Sequence, residues 1–164
     1  MAGEVWHVKG KDPADPVNHF VVEHPDLRGE PIYYNDPSAT PFLRDAQKYA
    51  MFCSLVGQFL LSFERPFLLH LHDWHAATLL FLRELHPDFA GLKGLPTAYT
   101  IHNLAIQGTR PMQNEASSVQ SWFPELFQET TWITSWGDPR YKVPTYNPMA
   151  VGIRWSDKVN TVSP

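Results

Sequence analysis

The sequence has little cysteine, few charged residues and no long apolar run, and each shortage narrows the class of protein. A single cysteine, Cys53, excludes a disulfide framework within the chain and indicates a buried thiol in a reducing compartment. Lysines and arginines are scattered and the formal net charge is -4, so no basic face for a nucleic acid is expected. No apolar run approaches the roughly 20 residues of a membrane-spanning helix, and the N-terminus has no signal-peptide pattern. We therefore expect a cytoplasmic protein with neither a membrane nor a nucleic-acid partner.

A glycine-rich loop that could hold a phosphate group is also missing. Gly91 and Gly94 are too isolated to form one. What the chain does have is 164 residues, 43% of them hydrophobic, which is enough for one domain with a continuous core. Fifteen prolines indicate rigid loops, and six tryptophans are compatible with carbohydrate contact, although core packing is favoured for any single one of them.

The first part of the chain predicts a hairpin followed by a long helix. Two β-prone runs, 5–8 and 19–23, flank a polar segment rich in turn residues. Apolar residues then recur at helical spacing over 41–63, which predicts a largely buried helix. Asp45 and Lys48 are expected on the solvated face at the start of that helix.

The middle of the chain predicts a β-α-β unit. The run 67–71 is apolar without alternation, as in a parallel strand that helices cover on both faces. A helix over 74–85 and a strand over 97–101 follow. Three more elements are expected: a short helix over 121–128, a helix over 148–156 and a strand over 159–162. The fold class is therefore α/β, with a Rossmann-like parallel sheet and helices on both faces.

Polar side chains follow both strands of this unit directly. In an open α/β sheet, ligands bind beyond the carboxyl ends of the strands. Carboxylates, amides and neutral imidazoles there satisfy the hydroxyls of a sugar without a metal. The set is Asp73, His75, His102, Asn103 and Gln107. Alternatively, Asp73 taken by itself caps the helix that follows it.

A zinc site is a second interpretation of the same stretch. His70 and His72 share a face of the strand, and His75 lies just beyond its end. This pattern resembles the His-x-His-x-Asp-His signature of metallo-β-lactamase-like hydrolases. However, Asp73 comes one place early, and Trp74 occupies the position of the acid.

Three segments together carry a resemblance to a known family. They are residues 72–76 (HDWHA), 96–108 (PTAYTIHNLAIQG) and 156–164 (SDKVNTVSP). In this order and spacing they resemble bacterial glycogen synthases and plant starch synthases, retaining glycosyltransferases with two Rossmann-like domains in a GT-B architecture. The resemblance covers about residues 17–164 and matches the N-terminal, acceptor-side domain.

The resemblance implies a reaction and a set of site residues. Glucose would pass from ADP-glucose or UDP-glucose to the non-reducing end of an α-1,4-glucan, with no metal or other cofactor. A plant member would lie in the plastid. Asp73 and His102 match catalytic positions, and four residues match substrate-binding positions: Trp74, His75, Asn103 and Gln107.

Two departures from the family pattern limit what the chain is expected to do. The Lys-Thr-Gly-Gly-Leu loop after the family's first strand is absent, and so is the C-terminal domain. Residues 1–164 are therefore expected to form a single partial Rossmann-like domain that is inactive alone and self-associates through exposed sheet edges. Two alternatives stay open at this point: a non-catalytic glucan-binding module, and a zinc-dependent hydrolase using His70, His72 and His75.

Overall fold

The chain forms two compact units, each with its own β-structure. The computed structural model describes residues 3–12, 14, 16–34, 36–37, 41–63, 66–127 and 143–162. The first unit is Met1–Ile32 and the second is Tyr33–Pro164. Of the helices in these described ranges, not one combines the length and the apolarity needed to cross a membrane.

The first unit contains the predicted hairpin. Strand β1 (Glu4–Val8) pairs antiparallel with strand β2 (His19–Glu23), and Trp6 lies opposite Val21. β-branched and aromatic residues favour this pleated pairing, and the polar segment between the strands allows the chain to reverse.

The second unit is built on a parallel sheet, and it contains nine helices and strands within the described ranges. In chain order they are α1 (Leu43–Ser62), β3 (Leu69–His72), α2 (Asp73–Leu85), β4 (Thr97–Ile101), β5 (Arg110–Pro111), α3 (Val119–Trp122), β6 (Thr145–Tyr146), α4 (Pro148–Trp155) and β7 (Lys158–Thr161). Short 3-10 helices occupy Pro87–Leu92 and Pro124–Phe127. The order β3-β4-β7 is parallel throughout, while β5 and β6 pair antiparallel. The predicted α/β class with a parallel sheet is confirmed.

The core lies around α2, which packs against both α1 and α4. Leu80 and Phe81 of α2 and Tyr99 of β4 are fully buried, and each such side chain contributes about 1.5–3 kcal/mol relative to exposure. Helix α4 can approach the Tyr99 ring because residue 152 is glycine. A Cβ atom at Gly152 would lie 2.4 Å from the Cζ atom of Tyr99.

Strand β3 alternates, so the expectation of an apolar run buried on both sides is wrong for this strand. Leu69 and Leu71 are buried, whereas His70 and His72 are exposed on the other face. The expectation failed because Phe67, which extended the apolar run, precedes the strand and is exposed.

Helix α1 begins two residues later than its predicted start. Phe42 has φ 61° and forms part of a turn, which leaves the helix to start at Leu43. Asp36 supplies the acceptor that the first turn needs: its Oδ2 atom accepts the Arg44 backbone N–H at 2.9 Å. Burial raises the pKa of Asp36, but hydrogen bonds from Arg44 outweigh this and leave it lowered.

Candidate functional site

Two polar strand ends meet at one edge of the parallel sheet. Strands β3 and β4 are neighbours with His72 opposite Thr100, so Asp73 follows one strand and His102 follows the other. The Asp73 Oδ1 atom accepts the backbone N–H groups of His102 and Asn103, at 2.7 and 3.3 Å. This bridge fixes the spacing between the two strand ends.

The backbone of Asp73 has an unusual conformation at this bridge. Its φ is 54°, in the left-handed region that costs most L-residues about 1–2 kcal/mol and that Asp tolerates better than most. The N-cap position of α2 is His72, with no side-chain capping bond. The alternative in which Asp73 serves as the helix cap is therefore wrong, since its carboxylate binds the neighbouring strand end instead.

A cavity of about 370 Å³ opens beside the bridge. This volume lies within the roughly 300–1,000 Å³ that is typical of small-molecule sites. Its lining combines carboxylates, an imidazole and an amide with aromatic and aliphatic side chains, contributed by Tyr33, Tyr34, Asp36, Pro41, Phe42, Asp45, Asp73, Trp74, His75, Asn103 and Ile106. The structure thus brings Asp73, Trp74, His75 and Asn103 to one cavity.

Asp45 is a cavity residue that sequence reasoning missed. It was expected on the solvated face of α1, but it is buried. Its two carboxylate oxygens accept the Tyr34 backbone N–H at 3.2 and 3.1 Å, and Lys48 Nζ lies 3.2 Å from Oδ1. One signal was present in the sequence: Asp45 lies four residues before Tyr49, on the same helical face.

His75 is held among aromatic rings at the start of α2. Its ring centroid lies 4.5 Å from that of Tyr49, 4.2 Å from that of Trp74 and 5.4 Å from that of Tyr33. Burial has the largest effect on the pKa of His75 and lowers it, and the carboxylates of Asp73 and Asp45 oppose this shift without reversing it. A neutral imidazole has one donor and one acceptor nitrogen, which suits a sugar hydroxyl.

Trp74 is a lining residue of the cavity. It is buried, and its ring packs so closely on Gly108 that a Cβ atom there would lie 2.1 Å from it. Gly108 also has φ 68°, a backbone conformation that other residues rarely adopt. Glycine is therefore needed both for this φ value and for the close approach of the Trp74 ring. The Trp74 indole N–H has no hydrogen-bond partner in the described part of the chain.

Two predicted site residues, His102 and Gln107, are not among the residues that line the cavity. The His102 Nε2 atom lies 2.9 Å from Nδ1 of His72, and only its backbone N–H reaches Asp73. Gln107 Oε1 accepts a hydrogen bond from Asn147 Nδ2 at 2.7 Å. Sequence reasoning placed these residues near the cleft but could not decide where their side chains point.

The three histidines of the zinc interpretation do not assemble. The rings of His70 and His72 are tilted by 38° with centroids 4.3 Å apart, and His70 Nε2 lies 2.8 Å from Thr100 Oγ1. His75 packs on Tyr49 instead. Within the residues that the structure describes, no three His, Cys, Asp or Glu side chains are placed to hold a metal ion. The zinc hydrolase is therefore not favoured.

Known proteins with similar sequences are glycogen synthases. The chain is 27% identical over 167 residues to that of Francisella philomiragia, covering 99% of this chain and 32% of the relative. It is 30% identical over 152 residues to that of Clostridioides difficile, covering 90% and 28%. The match to the Paracoccus denitrificans protein is 31% over 152 residues, covering 88% and 29%. The chain thus spans about a third of the length of these relatives.

The fold is similar to a solved structure of the same kind. The catalytic domain of starch synthase IV from Arabidopsis thaliana, bound to ADP and acarbose, superposes with a TM-score of 0.59 and 24% identity. The match covers 90% of this chain and 28% of that one. The family model described as the starch synthase catalytic domain matches residues 3–164. Because this match takes in nearly the whole sequence, the chain belongs to the starch synthase catalytic domain family.

Proposed function

We propose that the chain supplies the acceptor-side wall of a glucan synthase active site. The reaction is transfer of glucose from ADP-glucose or UDP-glucose to the non-reducing end of an α-1,4-glucan, without a metal. The single observation that carries this proposal is the cavity beside the Asp73 bridge, which combines carboxylates, an imidazole and an amide with aromatic rings. This mixture suits a ligand with an apolar ring face and many hydroxyls.

Asp73 is the proposed catalytic residue, and His102, which the resemblance also places at a catalytic position, is proposed to position it. Positive charge develops at the anomeric carbon as the bond to the nucleotide breaks, and prepositioned charges and dipoles stabilise it. The Asp73 carboxylate lines the cavity, and the His102 N–H holds its Oδ1 atom at 2.7 Å. In this proposal His102 acts through its backbone, which keeps the carboxylate in place before the reaction begins.

The substrate-binding role is distributed around the cavity wall. We assign hydroxyl contacts to His75 and Asn103, part of the cavity lining to Trp74, and an outer polar contact to Gln107. Tyr33 is added from the structure, because its exposed ring lines the same cavity beside His75. Aromatic rings provide a flat apolar surface at low entropic cost.

Phosphate binding is assigned to groups outside these residues. The sequence contains no glycine-rich loop for a nucleotide diphosphate, and the chain spans only about a third of its relatives. Residues 1–164 are accordingly proposed to correspond to part of one Rossmann-like domain of a two-domain enzyme. By itself it should transfer no glucose.

Self-association through the sheet edges belongs to the same proposal. Strands β3 and β7 are the outer strands of the three-stranded sheet in the described residues, and every residue of β7 is exposed. An edge strand has unpaired backbone groups, which favour pairing with another chain. A cytoplasmic location likewise stays a prediction from the sequence.

The test is binding of maltohexaose to the chain, measured by calorimetry and by NMR shifts of the Asn103 amide. Asp73→Asn should weaken binding at least several-fold, while the matched control Asp26→Asn, at an exposed carboxylate, should not. Equal affinity in the wild type and in Asp73→Asn would contradict the proposal. Incubation with labelled ADP-glucose and glycogen should give no elongation, and elongation would contradict the inactivity of the isolated chain.

A further inference from the structure

One face of the N-terminal hairpin exposes a strip of apolar side chains. Residues that pair across antiparallel strands share a face, and alternate residues along each strand return to it. Trp6, Val8 and Val21 therefore lie on the same face, and they are 54%, 44% and 51% exposed. Val5 and Val22, on the opposite face, are half-buried. His7 and Phe20 of that face are exposed, but Phe20 is only 36% exposed, so the more exposed apolar strip is the one that carries the tryptophan.

The Trp6 ring is held in place by charged neighbours. Its indole N–H donates to Glu23 Oε2 at 3.0 Å. The other oxygen of Glu23 accepts from Arg28 Nε at 2.8 Å, and Arg28 Nη2 also donates to it. Hydrogen bonding from Arg28 lowers the pKa of Glu23, so this carboxylate keeps its charge at neutral pH. An aromatic ring that is already oriented loses less entropy when it binds a ligand.

The groups around the ring select the chemistry of the ligand. A flat indole offers stacking to the apolar face of a pyranose, while Glu23 accepts and Arg28 donates hydrogen bonds to hydroxyls at its edge. Glu4 lies on the same face, and two carboxylates there disfavour a nucleic-acid backbone. Charged groups also border the apolar strip closely, which disfavours a large apolar protein partner.

We propose that this face of the hairpin, formed by Trp6 with Glu23 and Arg28, is a second carbohydrate-binding site that takes an α-glucan chain. The choice of glucan rests on the function proposed above, because the acceptor there is a polymer of identical sugar units. A weak second contact on the same polymer raises the effective concentration of chain ends without any change in the cleft.

The experiment is an NMR titration of the ¹⁵N-labelled chain with maltoheptaose. The Trp6 indole N–H signal, assigned by its loss in Trp6→Phe, should shift together with the β1 and β2 amides. Trp6→Ala should lower the affinity measured at the hairpin signals about tenfold, and Trp6→Tyr should restore most of it. The matched control is Phe20→Ala, which removes a ring stacked on His7 on the opposite face and should leave that affinity unchanged.

The outcomes separate this inference from the proposed function. Shifts at Asn103 with none at the hairpin would overturn the second site and leave the cleft proposal standing. No shift at either place would overturn both. Trp6-dependent self-association in sedimentation without sugar, and no shift with sugar, would also overturn the inference, since the face would then join two copies.

Discussion

The carboxylate of Asp73 and the backbone N–H of His102 are joined at 2.7 Å, across the ends of two neighbouring parallel strands. This bond places the polar end of β3 beside that of β4 and leaves Asp73 with φ 54°. Asp73→Ala removes a charge-assisted hydrogen bond and the tolerance for that φ value. We expect the free energy of unfolding to fall by about 2–4 kcal/mol, measured by urea denaturation. Asp73→Asn keeps both a hydrogen-bond acceptor and the tolerance for this φ value, so its free energy of unfolding should fall much less. Equal losses in the two variants would contradict a stabilising role of the bridge.

Gly108 should be the least replaceable glycine in the site. In Gly108→Ala, the new methyl group meets the Trp74 ring and the backbone keeps φ 68°. Unfolding free energy should fall by about 3 kcal/mol, and the cavity signals in an NMR spectrum should move. Gly29→Ala is the matched control, because Gly29 has φ 75° with nothing within 4 Å of the added atom. It should cost about 1 kcal/mol, and a similar loss in both variants would show that packing on Trp74 is unimportant.

Lys48 neutralises the buried carboxylate of Asp45. The side chains are only 11% and 5% exposed, so Lys48→Met leaves a negative charge buried without its cation. The expected loss is about 3 kcal/mol in urea denaturation, with weaker maltohexaose binding because Asp45 holds the Tyr34 N–H at the cavity. Lys158→Met on the exposed strand β7 should change stability by less than about 0.5 kcal/mol. Equal stability of the two variants would rule out the proposed role of the ion pair.

Acidification should destabilise the fold through His75. Burial lowers its pKa in the folded state below the value of about 6.5 that an unfolded chain has. The folded state therefore binds fewer protons, so the stability present above pH 6.5 is lost as the pH falls through the folded-state pKa. Urea denaturation from pH 7.5 to pH 5 should show this loss, and His75→Gln should reduce its slope. His7→Gln is the control and should leave the dependence of stability on pH unchanged. If His75→Gln also leaves it unchanged, the loss belongs to other groups.

The Cys53 thiol should be unreactive while the chain is folded. Burial raises its pKa to about 12, and its Sγ–H donates to the backbone carbonyl oxygen of His75 at 3.2 Å. A disulfide reagent at pH 8 should therefore label no thiol in the native chain and one thiol per chain in urea. Rapid labelling of the native chain would contradict the burial of Cys53 between α1 and α2.

The pattern of elements was accessible from the sequence because its causes are local. Two β-prone runs around a turn-rich segment predicted the hairpin, helical spacing predicted α1 and α2, and the segment 97–101 was predicted at the bounds that β4 has. The start of α1 was less accessible, since it depends on Asp36, a residue several positions away in the chain. The proximity of Asp73 to the strand end after β4 followed from a general property of parallel sheets.

The sequence by itself determined the α/β class, the order of the longer strands and helices, and the motifs that mark the family, because periodicity and motif spacing are properties of neighbouring residues. Only the tertiary structure decided that Asp45 is buried and that the side chain of His102 pairs with His72. Both depend on segments distant in sequence: Tyr34 donates its N–H to Asp45, and β3 brings His72 beside His102. Burial and side-chain direction are set by such long-range contacts, and the local pattern gave only the helical-face spacing between Asp45 and Tyr49.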